Sequence, residues 1–213
     1  MRVVNLHLLL GHVVADHAFT NNYKIRSYRG IKLAGHILWS AFAILAFTFD
    51  TLLKDPIGKW ILLALMVFHA WGDVQRVRLY SAGKKKQIDL LELFLLAVFG
   101  IFNIIFEDTF NDSYLTSEFA FYLMGMSVVS TGVTYFFRNF YPGVEDMSDI
   151  EGISERLAFF VFLLAGKTGL AFLSLALGLL YRISRIRRYD PTWWISPLSG
   201  IILSYLWKLA LYR

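Results

Sequence analysis

Seven apolar runs, most of them near twenty residues long, constrain this chain more than any other feature. They are Val3–Phe19, Ile31–Phe49, Ile57–Gln75, Ile88–Phe106, Phe119–Phe137, Leu157–Tyr181 and Trp193–Leu211. A helix of about 20 apolar residues is long enough to cross the hydrocarbon core of a bilayer. Of the 213 residues, 57% are hydrophobic, whereas a soluble domain averages about 45–50%. The sequence therefore predicts an all-α, polytopic transmembrane helix bundle with six or seven spans.

The spacing of the runs favours a single membrane domain over residues 1–213, because no Pro/Gly/Ser-rich linker divides them. Within it, residues 1–106 form a His/Asp-bearing half of four helices and residues 107–213 form a second half. The chain has no cysteine, which excludes disulfides, thiolate metal ligands and thiol nucleophiles.

The net charge of +5 is concentrated in a few loops, which is typical of membrane topology rather than of nucleic-acid binding. The basic loops 21–32 and 76–87 are expected in the cytoplasm under the positive-inside rule. A third basic segment, Arg182–Arg188, should also be cytoplasmic, yet strict alternation places it outside if the last three runs all cross. Either a segment is re-entrant, or one run does not cross, or the charge rule fails here.

Histidine and acidic residues recur near the cytoplasmic ends of the first four runs. His12 and Asp16 end the first run, and His69 and Asp73 end the third; a spacing of four residues puts each pair on one helix face. His36, Asp89 and Glu92 lie in the opening turns of the second and fourth runs. The predicted topology brings all these side chains to a similar depth in the membrane.

A metal site is the interpretation that this set of side chains favours. Imidazole and carboxylate groups suit zinc, manganese or iron. His12, His36 and His69 are the expected metal ligands. Three carboxylates are expected as further ligands, orienting groups or catalytic bases: Asp16, Asp73 and Glu92. The simpler alternative is interhelical hydrogen bonding that serves packing alone, although polar groups inside a membrane are usually functional.

Two functions use these residues in different ways, and a third makes them structural. The first is a metal-dependent hydrolase that acts on a lipid-linked or amphiphilic substrate at the cytoplasmic face, with membrane lipids as partners. The second is a proton- or cation-coupled transporter or transporter subunit, to which Lys167 within the sixth run would contribute. The third is a scaffold subunit in which the polar cluster only supports assembly.

Several short motifs resemble a family of bacterial integral-membrane proteins, domain-of-unknown-function family 3307. They are Gly11–Asp16, His36, His69-x-x-x-Asp73, and the Gly-x-x-Glu-Arg segment that contains Glu155 and Arg156. The resemblance covers most of the chain and implies a bacterial cytoplasmic (inner) membrane protein, but it implies no activity. The chain departs from the family pattern at the start of span four, where it keeps Asp89, lacks the usual histidine and offers Glu92 nearby.

Overall fold

The computed structural model describes residues 3–18, 22–141, 143, 144, 147, 149–186 and 192–211, and all regular secondary structure in these ranges is helical. The all-α prediction is therefore confirmed. Within these ranges, three helical segments are long and apolar enough to cross a membrane, which is consistent with a membrane protein: Lys85–Ile105, Ser117–Asn139 and Thr192–Leu211. The chain divides into two compact units, Arg2–Met124 and Gly125–Arg213.

Five α-helices and the start of a sixth build the amino-terminal unit. They are α1 (His7–Val13), α2 (Asn22–Ile25), α3 (Ile31–Ala46), α4 (Gly58–Ser81), α5 (Lys85–Ile105) and the first residues of α6 (Ser117–Ser127). A π-helical turn, Val14–Ala18, continues α1, and a 3-10 helix, Glu107–Asp112, follows α5. Helix α1 packs against α3 and α5, and α4 packs against the same two helices. Their shared core includes Leu8, Ile44, Leu65 and Phe99.

Asn103 of α5 fixes the start of α1. Its side-chain oxygen accepts hydrogen bonds from the backbone N–H groups of Leu8 and Leu9, at 3.1 and 3.2 Å. Its amide nitrogen donates to the carbonyl of Asn5 at 2.6 Å. The first N–H groups of a helix have no partner within the helix, so Asn103 supplies an acceptor that the apolar core lacks. The same contact holds α1 in register with α5.

The carboxyl-terminal unit begins within α6. Helix α6 continues through a π-helical turn, Val128–Gly132, into α7 (Val133–Asn139). The remaining helices are α8 (Ile150–Leu164), α9 (Thr168–Tyr181) with a π-helical turn at Arg182–Ile186, and α10 (Thr192–Leu211). Helix α8 is central, because it packs against α9, α10 and the π-helical turn that follows α6.

The predicted sixth span, Leu157–Tyr181, is wrong as a single helix. The chain breaks at Gly166, which has a φ of 73°. The N–H of Gly166 donates to Leu163 and that of Lys167 to Phe162, at 3.2 and 2.8 Å, which is the Schellman pattern that ends helices at a left-handed glycine. Lys167 was expected inside the span, but it lies exposed in the turn between α8 and α9.

Other predicted boundaries also shift. The basic loop 76–87 is too long, because α4 continues to Ser81 and so carries Arg76 and Arg78. The predicted halves meet at residue 106, whereas the two compact units meet at residue 124. In the first unit the Asn5 amide donates to the carbonyl of Glu107 at 2.8 Å. The single domain over 1–213 stays a prediction. Phe19, Arg187 and Arg188, which belong to predicted segments, lie outside the described residues.

Candidate metal centre

Four of the predicted site residues meet inside the amino-terminal unit. Asp16 comes from the π-helical turn after α1, His36 from α3, and His69 and Asp73 from α4. One potential ligand atom from each lies within 4.8 Å of those from the other three. None of the four residues is more than 5% exposed. We call Asp16, His36, His69 and Asp73 the four-residue cluster; it can hold a metal ion.

The distances inside the cluster suit a shared cation better than direct hydrogen bonds. The Nε2 atom of His36 lies 3.6 Å from both Asp16 Oδ1 and Asp73 Oδ1. The Nε2 atom of His69 lies 3.4 Å from Asp16 Oδ1 and 3.6 Å from Asp73 Oδ2. Hydrogen bonds to nitrogen are usually about 2.7–3.2 Å long. Ligands about 2.0–2.1 Å from a tetrahedral zinc ion are about 3.3–3.4 Å from one another.

Three atoms of the cluster are buried without a hydrogen-bond partner: His36 Nε2, His69 Nε2 and Asp73 Oδ2. A buried polar atom that lacks a partner costs about 1–3 kcal/mol, and such atoms are rare in folded proteins. Three such atoms in one cluster leave room in the hydrogen-bonding scheme for a bound ion. A cation bound between them would satisfy all three at once.

Helix geometry explains why both His69 and Asp73 belong to the cluster, whereas only Asp16 of the other His-x-x-x-Asp pair does. His69 and Asp73 lie on regular helix, so the spacing of four residues puts both on one face. Between His12 and Asp16 the chain changes from α-helix to a π-helical turn, whose hydrogen bonds span five residues rather than four. The wider turn makes the side chains of His12 and Asp16 point in different directions, and only Asp16 belongs to the cluster.

His12 lies behind the cluster and orients one of its members. Its Nδ1 atom is 3.2 Å from Nδ1 of His69, so a hydrogen bond between the two rings holds the Nε2 atom of His69 toward the carboxylates. The His12 ring also stacks on Phe99, with centroids 4.4 Å apart. Histidines that bind metals commonly have their second nitrogen held in this way. His12 is thus not one of the four residues of the cluster and contacts it through His69; its predicted ligand role stays a prediction.

Arg76 is the main functional residue that the sequence interpretation missed. Its fully buried guanidinium lies 2.6 Å from Asp16 Oδ2 and 3.0 Å from Asp73 Oδ1, and its Nε atom lies 3.2 Å from Glu92. Arg76 thus forms ion pairs with both carboxylates of the cluster without belonging to it. The sequence contained a signal, because Arg76 follows Asp73 by three residues and His69 by seven, which is one helix face.

Glu92 lies outside the cluster, between two guanidinium groups. Arg26 approaches both of its carboxylate oxygens at 3.3 Å, and Arg76 contacts it from the other side. Asp89, whose side chain is 37% exposed, lies 3.4 Å from Arg26. This buried region contains three carboxylates and only two guanidiniums: Asp16, Asp73 and Glu92 against Arg26 and Arg76. Before the histidines are counted, this group therefore has a formal charge of −1.

The other predicted site residues belong to the carboxyl-terminal unit. Arg156 is fully buried and donates to Asp149 at 2.7 Å and to the carbonyl of Val129 at 2.6 Å. Glu155 pairs with Arg182 at 2.8 Å. These contacts join helices of one unit to one another.

Comparison with known proteins gives no relative. No protein-family model matches the chain, and neither a curated protein nor a solved structure matches it. The resemblance to domain-of-unknown-function family 3307 stays a prediction.

Proposed function

We propose that the protein is a membrane metalloprotein that binds a divalent transition metal, zinc or manganese, in the four-residue cluster. The observation that carries this proposal is the convergence of four residues whose potential ligand atoms lie within 4.8 Å of one another, three of them with a buried atom that has no hydrogen-bond partner. Two imidazoles and two carboxylates suit either metal. Arg76 and His12 then orient the ligands from behind.

The reaction that we propose for this centre is hydrolysis of a lipid-linked or amphiphilic substrate. A bound zinc ion polarises a phosphoryl or carbonyl oxygen and lowers the pKa of a bound water to about 7. Asp16, His36, His69 and Asp73 would hold the ion, and zinc would supply this chemistry to a substrate that reaches the cluster. Glu92 is held by two guanidiniums, so its role in this proposal is to position Arg76 rather than to accept a proton.

Transport of a cation is the second candidate. The observation in its favour is that four protein ligands and deep burial suit a site that encloses an ion more than a site with an open coordination position. Acidic and histidine side chains inside membranes also form ion and proton pathways. Lys167 no longer supports this candidate, because it lies exposed in a turn.

We further propose the setting in which either function operates. The protein crosses a bacterial cytoplasmic membrane six or seven times, with loops 21–32 and 76–87 on the cytoplasmic side, and it belongs to domain-of-unknown-function family 3307. The exposed basic residues of these segments, among them Lys32, Arg78 and Lys84, then lie close to anionic lipid head groups, which attract lysine and arginine.

Metal analysis of detergent-purified protein tests the proposal. The parent chain should carry close to one zinc or manganese per molecule, and Asp73→Asn should lose it. Asp50→Asn makes the same change to a carboxylate in the same unit that binds Ser113 and Tyr114 instead, so it should keep the metal. A parent that binds no metal after incubation with zinc or manganese would refute the proposal.

Two assays on the metal-loaded protein then separate the candidate functions. Hydrolysis predicts turnover of lipid phosphoester or amide substrates in detergent, lost in Asp73→Asn and kept in Asp50→Asn. Transport predicts metal uptake into proteoliposomes with the same dependence on Asp73 and no turnover.

A further inference from the structure

Helices α8 and α9 form an antiparallel hairpin within the carboxyl-terminal unit. The Glu155 carboxylate near the start of α8 lies 2.8 Å from Arg182, which follows α9. Further along, the rings of Phe159 and Phe172 have centroids 5.4 Å apart. The chain reverses at Gly166. The two ends of the hairpin are therefore side by side.

Each arm of the hairpin is short for a membrane crossing. Helix α8 has 15 residues, and α9 has 14 before the π-helical turn that carries Arg182 and Arg185, so the apolar helix in each arm is about 21–23 Å long. The hydrocarbon core of a bilayer is about 30 Å thick. Charged residues lie near the open end of the hairpin, at Glu151, Glu155, Arg156, Arg182 and Arg185, and the closed end carries only Lys167.

The outer surface of α9 is apolar and exposed. Among its residues only Ala171 is buried. Its large apolar side chains are 46–62% exposed: Leu170, Phe172, Leu173, Leu177, Leu180 and Tyr181. An apolar surface of this extent is unusual on a protein in water. Within its unit, α9 packs chiefly against α8, and this contact leaves its opposite face uncovered.

We propose that α8 and α9 form a re-entrant hairpin that enters the lipid bilayer from the cytoplasmic face and returns to that face, with the outer surface of α9 against lipid acyl chains. The basic segment after α9 supports the cytoplasmic side, since arginines concentrate there. Lys167 at the closed end extends its long side chain toward polar head groups, as lysines near the ends of membrane helices do.

The hairpin removes the topology conflict that the sequence raised. A single sixth crossing would place the arginines after Tyr181 on the outside, against the positive-inside rule. A hairpin that returns to its own side leaves six crossings and puts these arginines in the cytoplasm. Lipid is the occupant because the hairpin follows one membrane-length helical segment, Ser117–Asn139, and precedes another, Thr192–Leu211.

Single-cysteine labelling tests the two ends of the hairpin, since the chain has no cysteine of its own. Ser154→Cys and Ser184→Cys replace exposed serines next to the open end. A membrane-impermeant maleimide should label both variants in inside-out vesicles and neither in right-side-out vesicles. Asp112→Cys, in the loop expected outside, should show the opposite pattern. Labelling of Ser154→Cys and Ser184→Cys from opposite faces would overturn the proposal.

Fluorescence quenching tests the contact with lipid. A bimane probe attached to Leu173→Cys should be quenched by lipids with a nitroxide on the acyl chain and not by iodide in the buffer. The same probe on Ser184→Cys provides the control and should respond to iodide. If iodide quenches the Leu173→Cys probe and nitroxide lipids do not, α9 faces water and the proposal fails. Size-exclusion chromatography and thermal unfolding of each variant, compared with the parent, verify that these exposed substitutions leave the fold intact.

Discussion

Replacing Arg76 with methionine removes the charge that holds the two carboxylates of the metal centre. Methionine has a similar length and keeps the apolar stem packed, so the change removes mainly the guanidinium. That group makes ion pairs with Asp16, Asp73 and Glu92 at 2.6, 3.0 and 3.2 Å. After the substitution, Arg26 still contacts Glu92.

The expected loss of stability follows from the burial of the ion pairs. All three carboxylate side chains are at most 6% exposed. Removing one partner of a buried ion pair costs about 3–5 kcal/mol. A loss of 1 kcal/mol lowers the melting temperature of a chain of this size by about 2–4 °C. The metal-free Arg76→Met variant should therefore melt about 6–20 °C below the metal-free parent.

A bound divalent metal should recover part of this loss, because it neutralises Asp16 and Asp73 in place of the arginine. A ligand at 100 times its dissociation constant stabilises a protein by about 2.7 kcal/mol. The variant should gain more than the parent at the same metal concentration, since Asp16 and Asp73 carry more unbalanced negative charge once Arg76 is gone.

Thermal unfolding in detergent, with zinc and with chelator, measures both effects. Arg78→Met is the matched control, because Arg78 is exposed on the same helix and should change stability by no more than about 0.5 kcal/mol. Equal melting temperatures for Arg76→Met and the parent would refute the structural role of Arg76. If zinc raised the melting temperature of the parent but not that of Arg76→Met, the idea that a metal ion can replace the Arg76 charge would be refuted.

Other substitutions test the packing around the centre and in the second unit, each by thermal unfolding in detergent. Asn103→Leu leaves two backbone N–H groups at the start of α1 without an acceptor, which should cost about 1–3 kcal/mol for each unsatisfied group. Asn139→Leu should destabilise the protein less, because the Asn139 side chain donates only to its own helix. Gly125→Ala should destabilise by about 1–3 kcal/mol, because the added methyl would lie 2.5 Å from the Trp207 ring. Gly35→Ala meets open space in α3 and should stabilise by about 0.5–1 kcal/mol. Equal effects of the two alanine substitutions would contradict this packing.

The sequence predicts those parts of the centre that depend on regular helix. The shared face of His69 and Asp73 follows from a spacing of four residues, and α4 is regular there. The separate roles of His12 and Asp16 could not be predicted, because a π-helical turn is set by tertiary packing and has no strong sequence signature.

Arg76 and Gly166 account for two further differences between the sequence interpretation and the structure. Arg76 was interpreted as a loop charge that sets topology, although its position one turn after Asp73 already placed it on the site face. Gly166 lies in an apolar run, and hydropathy alone does not distinguish a crossing from a hairpin. The glycine itself was a signal, since glycine is the residue that most often ends a helix in the left-handed conformation.

X-ray absorption spectroscopy of the zinc-loaded protein tests most directly whether the four-residue cluster binds the metal. The spectrum should show two imidazoles and two carboxylate oxygens at about 2.0–2.2 Å from zinc. His36→Ala should lose one imidazole, whereas His12→Ala should keep both, because His12 lies behind His69 and outside the cluster. A spectrum that is unchanged in His36→Ala, or one that loses an imidazole in His12→Ala, would contradict the assignment.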